Sequence, residues 1–183
     1  MILQSFRRST ENRSIAALYG AIVAQARRPA FYRHFGVPDT LEGRFDLIVL
    51  HLVLVLRRLA AAKAPDRLGQ GLFDRFCSDL DANLREMGVG DLAVPRRMRR
   101  FGEAFYGRQA AYLAALDGDG PGPFENALAR NIFGEKGGFE GRAAPLAGYA
   151  RAVIQALDEQ PEDGLWRGEV GFPDPEAFID ARQ

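Results

Sequence analysis

Few residues of this chain could perform chemistry, and those few are scattered. The 183 residues include one cysteine, Cys77, and two histidines, His34 and His51. A zinc site needs a group of Cys and His ligands, so this set excludes every common form. Cys77 falls on the apolar face of a predicted helix, where a thiol is usually an inert core residue. We therefore expect no catalytic residue, no metal and no cofactor.

The glycine-rich segments do not predict a nucleotide site. Neither G-x-G-x-x-G nor G-x-x-x-x-G-K-[ST] occurs. Residues 118–122 and 134–141 follow no strand pattern, so both segments are interpreted as linkers between helices.

His51 is the most informative single residue because it interrupts the longest apolar run, residues 47–56. A polar ring in such surroundings must be hydrogen-bonded to avoid a penalty of about a few kcal/mol. Two interpretations stay open: a satisfied core histidine, or a histidine that contacts a small ligand or haem. His34 stands near the end of a short helix, where we expect an ordinary capping contact.

A cluster of positive charge follows Pro95 at the start of a long predicted helix. Its members are Arg96, Arg97, Arg99 and Arg100, together called the arginine patch. Positive charge at a helix start opposes the helix dipole. Either these arginines form a solvated helix face, or they dock RNA, anionic lipid or an acidic protein. No base-stacking aromatic is evident beside them, so we expect no specific DNA recognition.

Apolar periodicity predicts one all-α domain over residues 1–183, a bundle of about six to seven helices around a central apolar helix. The apolar run is about half of the roughly 20 residues that cross a membrane, so it is interpreted as a buried central helix of a soluble protein. One apolar face is predicted to hold Phe73, Phe76, Cys77, Leu80, Leu84 and Met87. Predicted boundaries are an N-cap at Asn12, a short helix over residues 29–35, a capping box of Asp39 and Glu42, an end at Gly88 and a start at Pro95.

Charge is separated along the chain although 24 basic and 24 acidic residues cancel. Residues 1–36 hold six arginines against Glu11 alone, which also leaves peripheral membrane contact open. Residues 160–183 form an acidic tail that apolar side chains could dock; these are Leu165, Trp166, Val170, Phe172, Phe178 and Ile179. The lone cysteine indicates a cytoplasmic protein, and the scarcity of lysine is typical of bacterial, GC-rich genomes.

Four segments, taken in order, resemble the ubiquinol-cytochrome c chaperone family. They are RFDLIVLHLVLVLRRL, LFDRFCSDLDANLREMGVGD, PRRMRRFGEAFYGRQAAY and LARNIFG. The resemblance is strongest over residues 18–134. It places Leu50-His51 and Arg130-Asn131 at positions that match residue pairs of the family.

The resemblance implies an all-helical chaperone, with no reaction of its own, that assists assembly of cytochrome b into the respiratory bc1 complex. The implied client is a nascent or assembling membrane protein similar to cytochrome b. A ribosome, a small protein partner and the inner membrane surface are further implied contacts. Two other interpretations stay open: a ligand- or haem-binding protein centred on His51, and a ribosome- or RNA-binding module that uses the arginine patch.

Overall fold

The protein is a helical bundle, which the computed structural model describes over residues 2–134 and 143–179. These residues contain helices and no strand. In chain order the helices are α1 (Ile2–Ala26), α2 (Pro29–Arg33), α3 (Leu41–Ala61), α4 (Asp66–Glu86), α5 (Val94–Leu116), α6 (Gly122–Ile132), α7 (Ala143–Glu159) and α8 (Glu162–Trp166), and a 3₁₀ turn follows at Pro175–Phe178. Only α2 and α8 are shorter than eleven residues, so the predicted bundle of about six to seven helices is confirmed. The predicted linker over residues 134–141 lies, from residue 135 on, outside the described residues.

The central position of α3 is confirmed as well. α3 contacts each of the other five long helices, α1, α4, α5, α6 and α7. From Leu47 to Val55 every residue is buried except the half-buried Ile48. Each large apolar side chain contributes about 1.5–3 kcal/mol by its burial, so a helix surrounded on all sides can be apolar on all sides. No helix within the described ranges combines the length and the hydropathy needed to cross a membrane.

The first helix is longer than its sequence predicts. α1 begins at Ile2, so the predicted N-cap at Asn12 is wrong. Residues 2–12 contain no proline or glycine that would end a helix. The Ser14 hydroxyl donates to the Thr10 carbonyl oxygen at 3.3 Å, which satisfies a small polar group inside the helix. Asn12 is exposed in the middle of α1.

The start of α3 is capped by a different residue from the one predicted. Thr40 is the N-cap, and its Oγ1 accepts a hydrogen bond from the Gly43 backbone N–H at 3.1 Å. Asp39 pairs with Arg44 instead, with 2.8 Å between Oδ1 and Nε. The capping box of Asp39 and Glu42 is therefore wrong by one position.

The connection from α4 to α5 leaves large apolar side chains in solvent. α4 ends at Glu86, and Gly88, at a φ of 77°, turns the chain as predicted. The Val89 N–H donates to the Leu84 carbonyl oxygen at 3.0 Å and closes the helix end. Met87, predicted on the buried face, is 52% exposed because it follows the last helical residue. Leu92, in the same connection, is 99% exposed.

The C-terminal segment returns across the bundle. Arg58 on α3 reaches the end of α7, where its Nε donates to the Leu157 carbonyl oxygen at 2.8 Å. Leu165 is completely buried, whereas Trp166, expected to dock, is 42% exposed. Gly168 has a φ of 90° and packs so closely on α1 that a Cβ would lie 2.8 Å from the Ser14 backbone. The described part of the acidic tail is thus packed against α1, α3 and α7.

Candidate functional site

The arginine patch occupies the first turns of α5, and all four of its side chains are exposed. Arg99 pairs with Glu103 on the next turn, with 3.0 Å between Nε and Oε1. In the described residues the other three arginines make no ion pair. The first turn of α5 has no acidic residue, and the N-cap, Ala93, has no side-chain cap. Apart from the pair of Arg99 with Glu103, no ion pair within the described residues compensates the positive charge at this helix start.

An apolar groove lies beside the patch, between the first turns of α3 and α5. Its volume is about 370 Å³. Leu41, Phe45, Phe101 and Ala104 supply its apolar lining. The Phe45 and Phe101 ring centroids are 4.9 Å apart, so the two rings pack together within this lining. Leu41, at the start of α3, is 46% exposed.

Charged side chains border this groove. Arg97 and Arg100 of the patch line it, and so does Glu42 from α3. Because Arg97 and Arg100 have no ion-pair partner in the described part of the chain, both remain available to an acidic group of a bound molecule. An apolar groove with available guanidinium groups at its border fits an apolar protein segment that carries carboxylates.

An ion pair between Asp46, which is buried, and Arg108, which is half-buried, also lines the groove. Arg108 Nη2 is 2.7 Å from Asp46 Oδ1, and the guanidinium carbon lies 5.5 Å from the Phe45 ring centroid. The pair is poorly aligned, because in the described residues Asp46 Oδ1 accepts no hydrogen bond and Arg108 Nε has no acceptor. Burial raises the pKa of Asp46 to about 6, while Arg108 opposes that rise. The pair was not singled out from the sequence, because its partners are far apart in the chain.

The structure brings Asn131 to this ion pair. Arg108 Nη2 donates to the Asn131 carbonyl oxygen at 3.4 Å. The Asn131 side chain donates to the Ala127 carbonyl oxygen at 2.8 Å, within α6. Arg130 is exposed in the last turn of α6, where its charge complements the helix dipole. Of the pair Arg130-Asn131, only Asn131 is therefore linked to the groove.

His51 lies away from the groove, in the middle of the bundle. It is 0% exposed. Its Nδ1 is 2.7 Å from the Leu47 carbonyl oxygen, and its Nε2 is 2.8 Å from Tyr149 Oη. Gln25 donates to Tyr149 Oη at 2.9 Å and to the Pro173 carbonyl oxygen at 3.0 Å. We call these contacts the histidine network.

The partners of His51 determine how its protons are arranged. A carbonyl oxygen can only accept, so Nδ1 carries the proton and donates to Leu47. Nε2 then accepts from the Tyr149 hydroxyl. Burial lowers the pKa of His51 to about 4, against a smaller opposing contribution from the Leu47 carbonyl. His51 is thus a neutral, fully hydrogen-bonded core residue, and neither ring nitrogen is free to ligate haem iron.

Aromatic rings surround the histidine network. Phe31 meets the His51 ring edge-on with 5.6 Å between centroids, and Phe172 does so at 5.4 Å. Phe31 also lies 5.0 Å from Tyr149. Tyr149 is 98 residues from His51 in the chain and 124 residues from Gln25, so the sequence alone does not connect these residues.

The remaining candidate residues take ordinary positions. Cys77 is half-buried against the core, and burial raises the pKa of its thiol, which keeps it protonated. His34 is the C-cap of α2, and its backbone N–H donates to the Ala30 carbonyl oxygen at 2.9 Å. Within the described ranges, no three His, Cys, Asp or Glu side chains are grouped closely enough to hold a metal ion.

Comparison with known proteins agrees with this architecture. Residues 33–172 match the family model described as ubiquinol-cytochrome C chaperone. The crystal structure of a Cbp3 homologue from Brucella abortus superimposes with a TM-score of 0.81 at 37% sequence identity. That match covers 96% of this chain and 98% of the Brucella chain. No curated protein sequence matches significantly. The family match spans most of the chain, and the structural match spans nearly all of it; the chain belongs to the ubiquinol-cytochrome c chaperone family, whose role is in the assembly of respiratory complex III.

Proposed function

We propose that this chaperone binds an assembling cytochrome b-like membrane protein through the groove and the arginine patch, and that it catalyses no reaction. The observation that carries the proposal is the position of an exposed apolar groove beside Arg97 and Arg100, which make no ion pair among the described residues. A client of this kind presents apolar helices that need shielding before they pack in the membrane.

The groove suits one apolar segment of the client at a time. Leu41, Phe45 and Phe101 offer large side chains into which aliphatic groups of a helix can pack. Arg97 and Arg100 then meet carboxylates at the ends of that segment, where membrane proteins carry their polar residues.

Replacement of Leu41 by Glu tests the groove without threatening the fold. Leu41 is the first residue of α3, where a negative side chain complements the helix dipole. Loss of one buried leucine contact corresponds to about 1.5–3 kcal/mol, so we expect client binding to weaken by about tenfold or more. The measurement is the affinity for detergent-solubilised cytochrome b by microscale thermophoresis, with circular dichroism to verify the helical fold.

Leu92→Glu is the matched control. It makes the same chemical change at a 99% exposed position that does not line the groove. We expect a smaller effect on client binding than Leu41→Glu produces. Equal client affinities of the two variants would show that the groove does not bind the client.

Ribosome contact is a second candidate function for the patch. Tyr106, on α5, is 57% exposed two turns beyond Arg99, so an aromatic side chain does lie on the patch side of the helix. Co-sedimentation with ribosomes across a salt series tests this contact. Specific loss of sedimentation in Tyr106→Ala would support it, and unchanged sedimentation would exclude this side chain.

The histidine network does not favour a ligand-binding function. His51 has no exposed surface, and both of its nitrogens are bonded within the protein. We propose that His51 supports client binding only indirectly, by fixing the relation of α3 to α7. The location that fits this function is the cytoplasm, with peripheral contact at the inner membrane where the client is assembled.

A further inference from the structure

A second arginine cluster surrounds a hollow on the other side of the α3 N-terminus. Its basic members come from three consecutive elements: Arg27 follows α1, Arg33 ends α2 and Arg44 lies in the first turns of α3. The hollow has a volume of about 380 Å³. Its remaining lining residues are Pro29, Tyr32 and Asp39. We call it the arginine hollow.

The arginine hollow carries uncompensated positive charge. Three arginines and one aspartate line it, so its lining carries a net charge of +2. Asp39 Oδ1 accepts from Arg44 Nε at 2.8 Å, and this contact orients the guanidinium. Arg27 and Arg33 make no ion pair among the described residues. The neighbouring Arg28 is already used, because it pairs with Asp174 at 2.7 Å.

The walls of the arginine hollow are held by buried structure. The Tyr32 hydroxyl donates to the Ala26 carbonyl oxygen at 2.9 Å, which fixes the ring at the end of α1. Phe31 and Phe35 anchor the α2 segment, at 0% and 4% exposure. The Val37 N–H donates to the Phe31 carbonyl oxygen at 3.1 Å and closes the turn towards α3. The backbone that carries the arginines is therefore preorganised.

We propose that the arginine hollow binds the phosphate group of an anionic lipid headgroup. Guanidinium groups match phosphate oxygens in a bidentate geometry, and several around one hollow can share the charge of one phosphate. A lipid is the source that fits the neighbouring surface: Leu41 and the groove lie on the adjacent side of the same first turns of α3. Basic side chains beside an exposed apolar one are typical of interfacial binding.

This arrangement would present the groove at the membrane surface, where a membrane-protein client is inserted. The choice of a lipid over another phosphate compound rests on the proposed function. The presence of the site can be tested without the client, because the arginine hollow and the groove have separate lining residues.

The experiment is co-flotation of the full chain with vesicles of phosphatidylglycerol and phosphatidylcholine, compared with vesicles of phosphatidylcholine alone. In the hollow variant, Arg27, Arg33 and Arg44 are all replaced by Gln. Each arginine near an anionic surface corresponds to roughly a fivefold change in partitioning, so we expect a loss of about a hundredfold. Wild-type binding should also weaken as salt is added.

A charge-matched control separates a specific site from general attraction. Replacing Arg13, Arg67 and Arg75 by Gln removes the same charge from exposed positions on α1 and α4. Arg13 lies about 20 Å along α1 from Arg27. The control should keep most of the vesicle binding; equal losses in both triple variants would overturn the site.

Additional experiments identify whether the bound phosphate comes from a lipid or from a soluble anion. Titration of the wild-type protein with inorganic phosphate by calorimetry should show weak binding compared with vesicles. Tight binding of inorganic phosphate without vesicle binding would assign the arginine hollow to a soluble anion and overturn the lipid proposal. Ribosome sedimentation that depends on the three arginines, with no flotation of the wild-type protein, would overturn it as well. Affinity for detergent-solubilised cytochrome b should be unchanged in the hollow variant, so failure of flotation leaves the groove experiment standing.

Discussion

Tyr149→Phe removes one oxygen from the centre of the histidine network and nothing else. The Phe ring can keep the edge-on contacts that Tyr149 makes with Phe31 and Phe178, at 5.0 and 5.7 Å between centroids. His51 Nε2 loses its donor and stays buried. An unsatisfied buried acceptor costs about 1–3 kcal/mol, so we expect a loss of about 2 kcal/mol in the free energy of unfolding. For a chain of this size that corresponds to a fall of roughly 4–8 °C in Tm.

The bundle contains its own control for this change. Tyr112 is also 0% exposed, but its hydroxyl has no hydrogen-bond partner within the described residues. Tyr112→Phe deletes the same atom without breaking a bond, so stability should stay within about 0.5 kcal/mol of wild type or rise slightly.

Urea unfolding of both variants at neutral pH, followed by circular dichroism, measures the difference directly. Side-chain ¹⁵N spectra of His51 should show a protonated Nδ1 in the wild-type protein. Equal stabilities of Tyr149→Phe and Tyr112→Phe would refute the assignment of the histidine network as a source of stability. A wild-type His51 protonated at Nε2 would refute the assigned direction of its hydrogen bonds.

Three further predictions concern charge. His51→Asp should destabilise the fold by about 3 kcal/mol or more in urea unfolding, because it places a carboxyl in a site with no solvent access; unchanged stability would contradict the buried position. Burial lowers the pKa of His51 from 6.5 to about 4, so its titration should lower the free energy of unfolding by roughly 3 kcal/mol as pH falls from 6.5 to 4. Burial raises the pKa of Asp46 from 3.8 to about 6, so its titration should lower the free energy of unfolding by a similar amount as pH rises over nearly the same range. The two slopes largely cancel, so Asp46→Asn should unmask a rise in stability with pH between 4 and 6.5, and a flat profile in that variant would count against the His51 assignment. Replacing all four arginines of the patch by Gln should leave the circular dichroism spectrum unchanged and weaken the salt-sensitive binding to the client. Equal client binding by the wild-type and the substituted protein at every salt concentration would show that the patch does not take part in binding.

The helical architecture could be predicted because each long helix has a clear apolar period and a local stop. α3 is the simplest case, since a helix whose middle is apolar on all sides must be surrounded there. The errors fell where several local choices compete. Thr40 rather than Asp39 caps α3 because both can accept the bond and Asp39 has Arg44 as an alternative partner. No residue between Ile2 and Asn12 breaks a helix, so nothing in the sequence before Asn12 required the helix to begin there.

The site was predictable only in its exposed part. The arginine patch is contiguous in sequence, and charged side chains at a helix start are rarely buried. The groove depends on the relative orientation of α3 and α5, which the spacing of apolar residues in either helix does not specify. The ion pair of Asp46 and Arg108 is also long-range, and so is the bond from Gln25 to Tyr149. A polar residue inside an apolar run, such as His51, indicates that a hydrogen-bond partner exists but does not identify that partner.

The bond from Gln25 to the Pro173 carbonyl oxygen joins positions that are 148 residues apart. During synthesis at ~5–20 residues per second, roughly 7 to 30 s separate the two ends of that bond. For most of this interval α1 and α3 are already made, yet the segment whose Phe172 packs on His51 does not exist. The nascent chain therefore passes through a stage in which the apolar middle of α3 lacks part of its cover. The chaperone itself must therefore form a long-range contact before α3 is fully covered, and translation of the segment around Phe172 sets the earliest moment at which that contact can form.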